Sequence, residues 1–236
     1  WILHVYKRSF PQTIGGVEKF IDTLCKSSSL YGVRNKVLSL SRKPSKKINL
    51  DGYEVYHAKE IFYIGSTGFS IDAFNKFIKL SNEVDLIHHH YPHPFGDLLQ
   101  ILSFTKKPYL ITYHSDILRQ KNLEKIYNPI KHYFLNNSKK IIATSPNYFA
   151  TSEILKQYSS KVDVIPIGLI EKDYKMDVNE RAEYWKKKLG SRFFLFLGAQ
   201  RYYKGLNIAL KAAENTNIKI VFAGAVGINL VNKAKS

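Results

Sequence analysis

Cysteine is nearly absent. Cys25 is the only one in 236 residues, so no disulfide can close within the chain, and a reducing compartment suits it. Cys25 falls on the apolar side of an expected helix, which reads as a buried inert thiol rather than a nucleophile. No run of about 18 apolar residues occurs, so no membrane-spanning helix is expected. Trp1 to Tyr6 is too short for a secretory signal and leads into a charged loop. The chain does not begin with Met, and a trimmed start is expected. Acids are scarce as well: 19 against 36 Lys and Arg, a net charge of +17. Such a balance draws a protein to polyanions, whether nucleic acid, anionic lipid or phosphorylated substrates. Against nucleic acid, the cations are spread along the chain and no RNP, zinc-finger or helix-turn-helix signature occurs. Long-period repeats and low-complexity tracts are missing too.

What is present is an alternation of strands and helices. Hydrophobic residues make up 44% of the chain, ample for a globular core. Ile2 to Tyr6 reads as a strand. A loop with Pro11 follows, then Gly15-Gly16-Val17-Glu18 opens a helix with Val17, Phe20, Ile21, Leu24 and Cys25 on its apolar face. Strand, glycine pair and helix make the first step of a doubly wound sheet. The glycine pair lets backbone come close to a ligand, or it is simply a tight turn. It lacks the dinucleotide spacing, so no nicotinamide site is expected. Further strands are expected at Val33–Leu40, Tyr53–Ala58, Val84–His88, Pro108–Tyr113, Lys139–Ala143 and Val162–Ile167. Helices are expected at Phe69–Leu80, Phe95–Phe104 and Pro146–Leu155. The expected fold class is α/β: a Rossmann-like doubly wound parallel sheet, plus the first part of a second such domain.

The stretch Phe193 to Leu206 organises the second part. Phe193 to Leu197 is an apolar run that reads as a fully buried parallel strand. Gly198 ends it, a polar loop holds Arg201 and Lys204, and Gly205 precedes a helix with Leu206, Leu210 and Ala213 on one face. Two cations therefore sit in a strand-to-helix loop at the carboxyl end of a strand, where open parallel sheets bind ligands. A helix N-terminus there suits a phosphate. The plain alternative is a pair of solvated loop charges.

Two other stretches carry candidate chemistry. His88, His89, His90 and His93 fall within six residues. Alternation along a strand keeps His88, His89 and His90 from converging on one ion, so no metal site is expected. A loop at the sheet edge with hydrogen-bonded or solvated histidines is expected instead. Tyr113-His114-Ser115-Asp116 ends a strand. A neutral His there can hydrogen-bond a sugar hydroxyl or donate to a leaving oxygen. Equally, these polar groups can cap the strand loop and the next helix. After it, Ile117 to Leu135 is basic, aromatic and amphipathic, and Pro129 is expected to kink or divide it. It fits either a surface helix with one side in the core or a helix lying on an anionic bilayer.

Several of these motifs together resemble the family-four retaining glycosyltransferases, which have the GT-B fold of two Rossmann-like domains. Phe194 to Gly198, Arg201, Tyr203-Lys204-Gly205 and the helix after them resemble the opening of that family's second domain. The resemblance implies that Lys204 and Arg201 hold the diphosphate of a nucleotide sugar. The family's arginine most often lies directly after the strand glycine, where this chain has Ala199, and Arg201 is the substitute. Gly15-Gly16-Val17-Glu18 matches the segment facing donor phosphates and acceptor. Asp85 to Pro92 resembles a segment at the mouth of the acceptor cleft, which implies a substrate-binding role for His88. Tyr113-His114-Ser115-Asp116 matches the active-site histidine segment, making His114 the expected catalytic residue and Asp116 a substrate-binding one.

The resemblance implies domains over residues 1–170 and 193–236, with 171–192 as linker and charged helix. A doubly wound domain needs about 100 residues or more, so the second is expected to be incomplete. The family's paired glutamates have no counterpart, since Glu214 is the last acid. The implied activity is transfer of a hexose, with retention, from GDP-mannose or a UDP-hexose to a lipid-linked saccharide in cell-envelope synthesis. It needs no metal or other cofactor, and within the family O-antigen mannosyltransferases are the nearest likeness. The implied place is cytoplasmic, peripheral on the inner face of the membrane, with an anionic surface as partner and no nucleic acid. The rivals are a non-catalytic module binding sugar nucleotide or lipid surface, and a nucleic-acid-binding protein.

Overall fold

The computed structural model describes residues 1–44, 47–64, 67–117, 121–171, 179–190, 192–198 and 204–224. The chain divides into two compact units, residues 1–171 and 172–236.

The first unit is built on β1 (Ile2–Val5), β2 (Asn35–Ser41), β3 (Ile48–Leu50), β4 (Tyr53–Lys59), β7 (Leu86–Tyr91), β8 (Tyr109–Tyr113), β9 (Lys140–Ala143) and β10 (Val162–Val164). Their order across the sheet is β10-β9-β8-β7-β1-β2-β4-β3. Every pairing is parallel except that of β3 with β4. From β1 the chain builds outward on one side through β2 and β4, then returns to add β7, β8, β9 and β10 on the other. The boundary between β1 and β7 is thus a topological switch point, and a ligand site is expected at the carboxyl ends there. A small hairpin, β5 (Phe62–Ile64) with β6 (Thr67–Phe69), stands apart from this sheet.

The central strands are buried on both faces, polar residues included. All seven residues of β2 are buried, as a parallel sheet with helices on each side requires. On one face α1 (Gly16–Ser29) lays Ile21 and Cys25 against Val37, Tyr53 and Val55. Burial pushes the Cys25 thiol far up its titration range, in keeping with an inert group. The other face carries the larger cluster, with Leu3, Leu38, Phe77, Ile87, Leu99, Ile111, Phe134 and Leu135. It is covered by α2 (Ile71–Asn82), α3 (Pro94–Leu102) and α4 (Lys121–Asn137). Fully burying each such side chain is worth about 1.5–3 kcal/mol.

Local signals set the helix ends. The Ser70 hydroxyl accepts from the amide of Ala73 at 3.0 Å and starts α2. Ser145 does the same for Tyr148 at 3.1 Å, and Ser152 for Leu155 at 3.3 Å. Ser152 therefore restarts the chain as a second helix. The stretch Pro146–Leu155, expected to be one helix, is instead α5 (Pro146–Thr151) and α6 (Glu153–Gln157). The helix α4 runs on through Pro129 and is not divided by it. Phe134 and Leu135 on it are buried, so that side belongs to the core rather than to a bilayer.

Asp97 on α3 is buried and accepts a hydrogen bond from the Tyr127 hydroxyl of α4. Burial pushes its carboxyl up to about 8.

The second unit contains α7 (Asn179–Leu189), β11 (Phe194–Leu197), α8 (Leu206–Ala213) and β12 (Ile220–Ala223). β11 and β12 pair in parallel. The expectation of a fully buried β11 does not hold. Phe194, Leu195 and Leu197 are 68%, 58% and 74% exposed. Among the described residues β11 pairs only with β12, so little is there to cover its apolar side chains.

Candidate active site

The loop after β1 leads directly to the switch point, and buried polar contacts hold it. Arg8 donates to both carboxylate oxygens of Glu60, at 3.1 and 3.0 Å, and to the carbonyl of Leu40 at 2.9 Å. Ser9 and Ser39 share a hydroxyl hydrogen bond at 2.7 Å. The loop ends at Gly15, which precedes the first turn of α1 in an extended conformation. At Gly16 a Cβ would meet nothing within 4 Å, so the helix opens onto free space there. At Gly15 a Cβ would collide with the carboxylate of Glu18, which folds back over the helix start and also accepts from Thr13 at 3.3 Å. A side chain at position 15 would have to displace that carboxylate from the helix start.

His114 follows β8, and its amide donates to the carbonyl of Tyr91 at 3.0 Å. That bond carries the β7–β8 ladder one residue past the strand and fixes His114 at the carboxyl ends. Its ring meets that of Phe20 on α1 edge-on, with centroids 5.0 Å apart. Burial lowers its pKa to about 4, so the imidazole is neutral at pH 7.

Behind His114 lies a run of buried imidazoles. His90 Nδ1 is 3.2 Å from His114 Nε2, and His90 Nε2 is 3.2 Å from His4 Nδ1. His4 Nε2 is 3.1 Å from Asn35 Oδ1. His88, on the same face, reaches the Thr112 hydroxyl at 2.7 Å. His89 points to the opposite face and reaches Gln100 Oε1 at 2.9 Å. Burial lowers the pKa of His4 and His89 to about 4 and that of His88 and His90 well below the usual range.

These positions correct the expectation of an edge loop. His88, His89 and His90 belong to β7, in the interior of the sheet. His88 is buried mid-strand under α1, and it is His90 that touches His114. As alternation requires, His89 stands apart from the other two.

The ring nitrogens of His4, His88 and His90 lie within 4.8 Å of one another, close enough for one metal ion. Among the described residues no carboxylate or thiolate joins them. A dication there would be buried without a counter-charge, which is costly, and the hydrogen bonds account for all three rings. His93, at the start of α3, is buried with no hydrogen-bond partner for either ring nitrogen. Burial lowers its pKa too.

Asp116 is committed to structure. Its carboxylate accepts from the hydroxyls of Tyr113 and Tyr148, each at 2.9 Å, and of Ser152 at 3.1 Å. It thereby ties the end of β8 to α5 and α6. A hollow of about 310 Å³ beside it is lined by Tyr91, Tyr113, Ile117, Lys131 and Glu153. A slightly larger hollow, near Trp1, Arg34 and Asn49, lies at the amino ends of the strands, the wrong end for a ligand in this architecture.

In the second unit Lys204 precedes α8. A Cβ on Gly198 would lie 2.5 Å from its Nζ, so the ammonium rests over the residue that ends β11. Gly198 has a φ of +142°, a region that favours glycine. A Cβ on Gly224, after β12, would in turn collide with the carbonyl of Gly198. Arg201 and Ala199 lie outside the described residues.

The profile of Glycosyltransferase Family 4 matches residues 14–170. The chain belongs to that family. This family 4 chain is 44% identical over 225 residues to the D-rhamnosyltransferase WbpZ of Pseudomonas aeruginosa, covering 95% of the chain and 59% of that protein. It is 41% identical over 226 residues to the O-antigen chain mannosyltransferase C of Escherichia coli, covering 94% and 60%. The family 4 chain thus spans about three fifths of the length of these relatives.

Among solved structures, the sucrose-phosphate synthase of Thermosynechococcus elongatus superposes with a TM-score of 0.65 at 15% identity, covering 95% of this chain and 70% of that one. Anabaena HepE in complex with UDP and glucose gives a TM-score of 0.65 at 16% identity, covering 99% and 63%. At that identity the likeness shows the fold, the Rossmann-like α/β architecture of GT-B glycosyltransferases. The strand-glycine-helix and strand-histidine motifs were legible in the family 4 sequence. His4 and Asn35 were not singled out, because only the strand register brings Asn35 to His4 and His4 to His90.

Proposed function

We propose that the complete protein is a retaining hexosyltransferase. It moves a sugar from a nucleoside diphosphate donor, GDP-mannose or a UDP-hexose, to a lipid-linked saccharide in cell-envelope polysaccharide synthesis. The observation that supports this most directly is a neutral His114 at the carboxyl end of β8, beside the switch point and against Phe20 of α1. Such a ring can hydrogen-bond a hydroxyl of the bound sugar. The relatives add the sugar-transfer class: one is named a rhamnosyltransferase, the other an O-antigen mannosyltransferase.

In this reading Lys204, with Arg201, steadies the negative charge that develops on the departing diphosphate. A metal ion does that work in other transferases, and no cofactor is required here. The backbone at Gly15 and Gly16 approaches the donor phosphates. Chain length belongs to the proposal: alone, these residues are the acceptor side and part of the donor side, and are inactive.

Transfer is measured on a protein carrying the full length of its relatives, with both donors. Lys204→Ala is expected to lower turnover at least tenfold, the scale of losing a charge-stabilising contact. Unchanged turnover removes Lys204 from the mechanism. Calorimetry with UDP and GDP tests the binding-module alternative: tight binding by this chain alone, without transfer at full length, would favour it.

An anionic membrane surface is the proposed partner, and the protein is proposed to be cytoplasmic and peripheral. Ile61, Phe62, Tyr63 and Ile64 around the β5–β6 hairpin are exposed. Arg8 donates to the Tyr63 hydroxyl, and Arg42 lies 5.2 Å over its ring. Apolar groups flanked by cations suit the interface of a bilayer with anionic lipid.

A further inference from the structure

Asn35 anchors the run of imidazoles in one orientation. Its Nδ2 faces the carbonyls of Cys25 at 3.2 Å and Val33 at 3.3 Å, and the Ser28 hydroxyl at 2.9 Å. Two of these partners are carbonyls, which can only accept, so the amide nitrogen must point at them. Oδ1 is therefore the atom that faces His4, and an amide oxygen only accepts. His4 must carry its proton on Nε2 to satisfy it.

In a neutral ring the other nitrogen is then an acceptor. His4 Nδ1 accepts, so His90 Nε2 donates to it. His90 Nδ1 is left to accept, so His114 Nε2 donates to that. One fixed amide thus dictates three tautomers in turn. His4 and His90 are buried and His114 is partly so, and burial favours the neutral form that the sequence of donors requires.

We propose that Asn35, His4 and His90 are positioning residues that hold His114 with its proton on Nε2, turned into the sheet, leaving Nδ1 as the only acceptor it offers to a substrate. This rests on the reading of His114 as the sugar-facing group, and it narrows that reading. His114 then receives a hydrogen bond from a hydroxyl of the sugar and does not supply a proton to a leaving oxygen. The same chain of bonds fixes the plane of the ring, as a second layer of partners does around metal-bound imidazoles.

Imidazole nitrogens report their tautomer directly in long-range proton–nitrogen correlation spectra of the uniformly labelled chain at pH 7. His4, His90 and His114 are each expected to show the neutral Nε2–H pattern. An Nδ1–H or doubly protonated His114 overturns the proposal. So does metal bound in stoichiometric amount to the purified chain, since an ion between His4 and His90 would replace their hydrogen bond.

His90→Leu breaks the run, and His114 is expected to become a mixture of tautomers; an unaltered His114 signal overturns the proposal. His90→Gln can both donate and accept, so it should restore the pattern in part. If His90→Leu fails to fold, the spectrum of the unmodified chain still decides.

In the full-length protein, His90→Leu should lower kcat about tenfold with little change in KM, and His90→Gln should recover part of that loss. Equal loss in both variants would show a merely structural role. Failure of the function reading looks different: the tautomers hold, yet His114→Ala leaves transfer unchanged.

Discussion

The two faces of β7 solve the same burial problem by different means. On the face toward α2, α3 and α4, His89 is one polar ring among Phe77, Tyr109 and Phe134, satisfied by Gln100. Cohesion there comes from apolar packing. On the face toward α1, His88 and His90 stack at 4.4 Å beside His4. The apolar cluster of that face is the smaller one and lies toward β2 and β4. A continuous apolar layer tolerates a modest change of shape, whereas a row of hydrogen-bonded rings specifies a single arrangement. The specified face is the one that reaches His114.

Acid should separate the faces most strongly. Four imidazoles on or next to the α1 face have folded pKa values below the ordinary 6.5: about 4 for His4 and His114, and well below 6.5 for His88 and His90. Between 6.5 and about 4 the unfolded chain takes up protons that the folded chain refuses. Stability therefore falls as pH drops through that window. For His4 alone the shift is worth roughly 3 kcal/mol. Urea midpoints measured from pH 7 to pH 4.5 should fall steeply, and a flat profile would refute the buried neutral network.

The next effect belongs to the opposite face. Phe77 is fully buried in the larger cluster, and Phe77→Ala should cost about 3–5 kcal/mol at any pH. Chemical denaturation at pH 7 and pH 6 checks both the size and the insensitivity to pH.

The smallest effect is the one expected between pH 6.5 and 8. Asp97 is pushed up to about 8, so from about 4 to 8 the folded chain holds a proton that the unfolded chain has released. Stability falls as pH rises through that window, by up to about 1.4 kcal/mol per pH unit. Above 6.5, where the imidazoles no longer contribute, Asp97 should dominate the slope. Asp97→Asn should flatten the profile between pH 6.5 and 8, and an unchanged slope would place the titration elsewhere.

Much of the fold could be read from the chain because its signals are local. Ile2 to Tyr6, the Gly15-Gly16 turn and the face of Val17, Ile21 and Cys25 each announce themselves within a few residues. Three-residue strands such as β3 and β5 carry too little pattern to be seen. Ser152 gave no sign that it would end one helix and begin another. The exposure of β11 was hidden for a different reason: Phe194 to Leu197 looks the same whether or not anything covers it.

In the site, His114 was legible as a polar residue at a strand end. His88 and His90 share a face by their spacing alone. The partners behind them were not legible, because His4 meets His88 in register, and Asn35 meets Ile2, only after distant strands pair.

The contacts of Gly198 have a consequence for substitution. Its α-carbon borders both the Lys204 ammonium and the strand end at Gly224. A methyl group at position 198 would push the lysine aside, and one at 224 would press on the peptide beneath it. Position 224 is therefore closed to a side chain by backbone that cannot give way, and position 198 by its φ of +142°, whereas the lysine tip can swing aside at little cost.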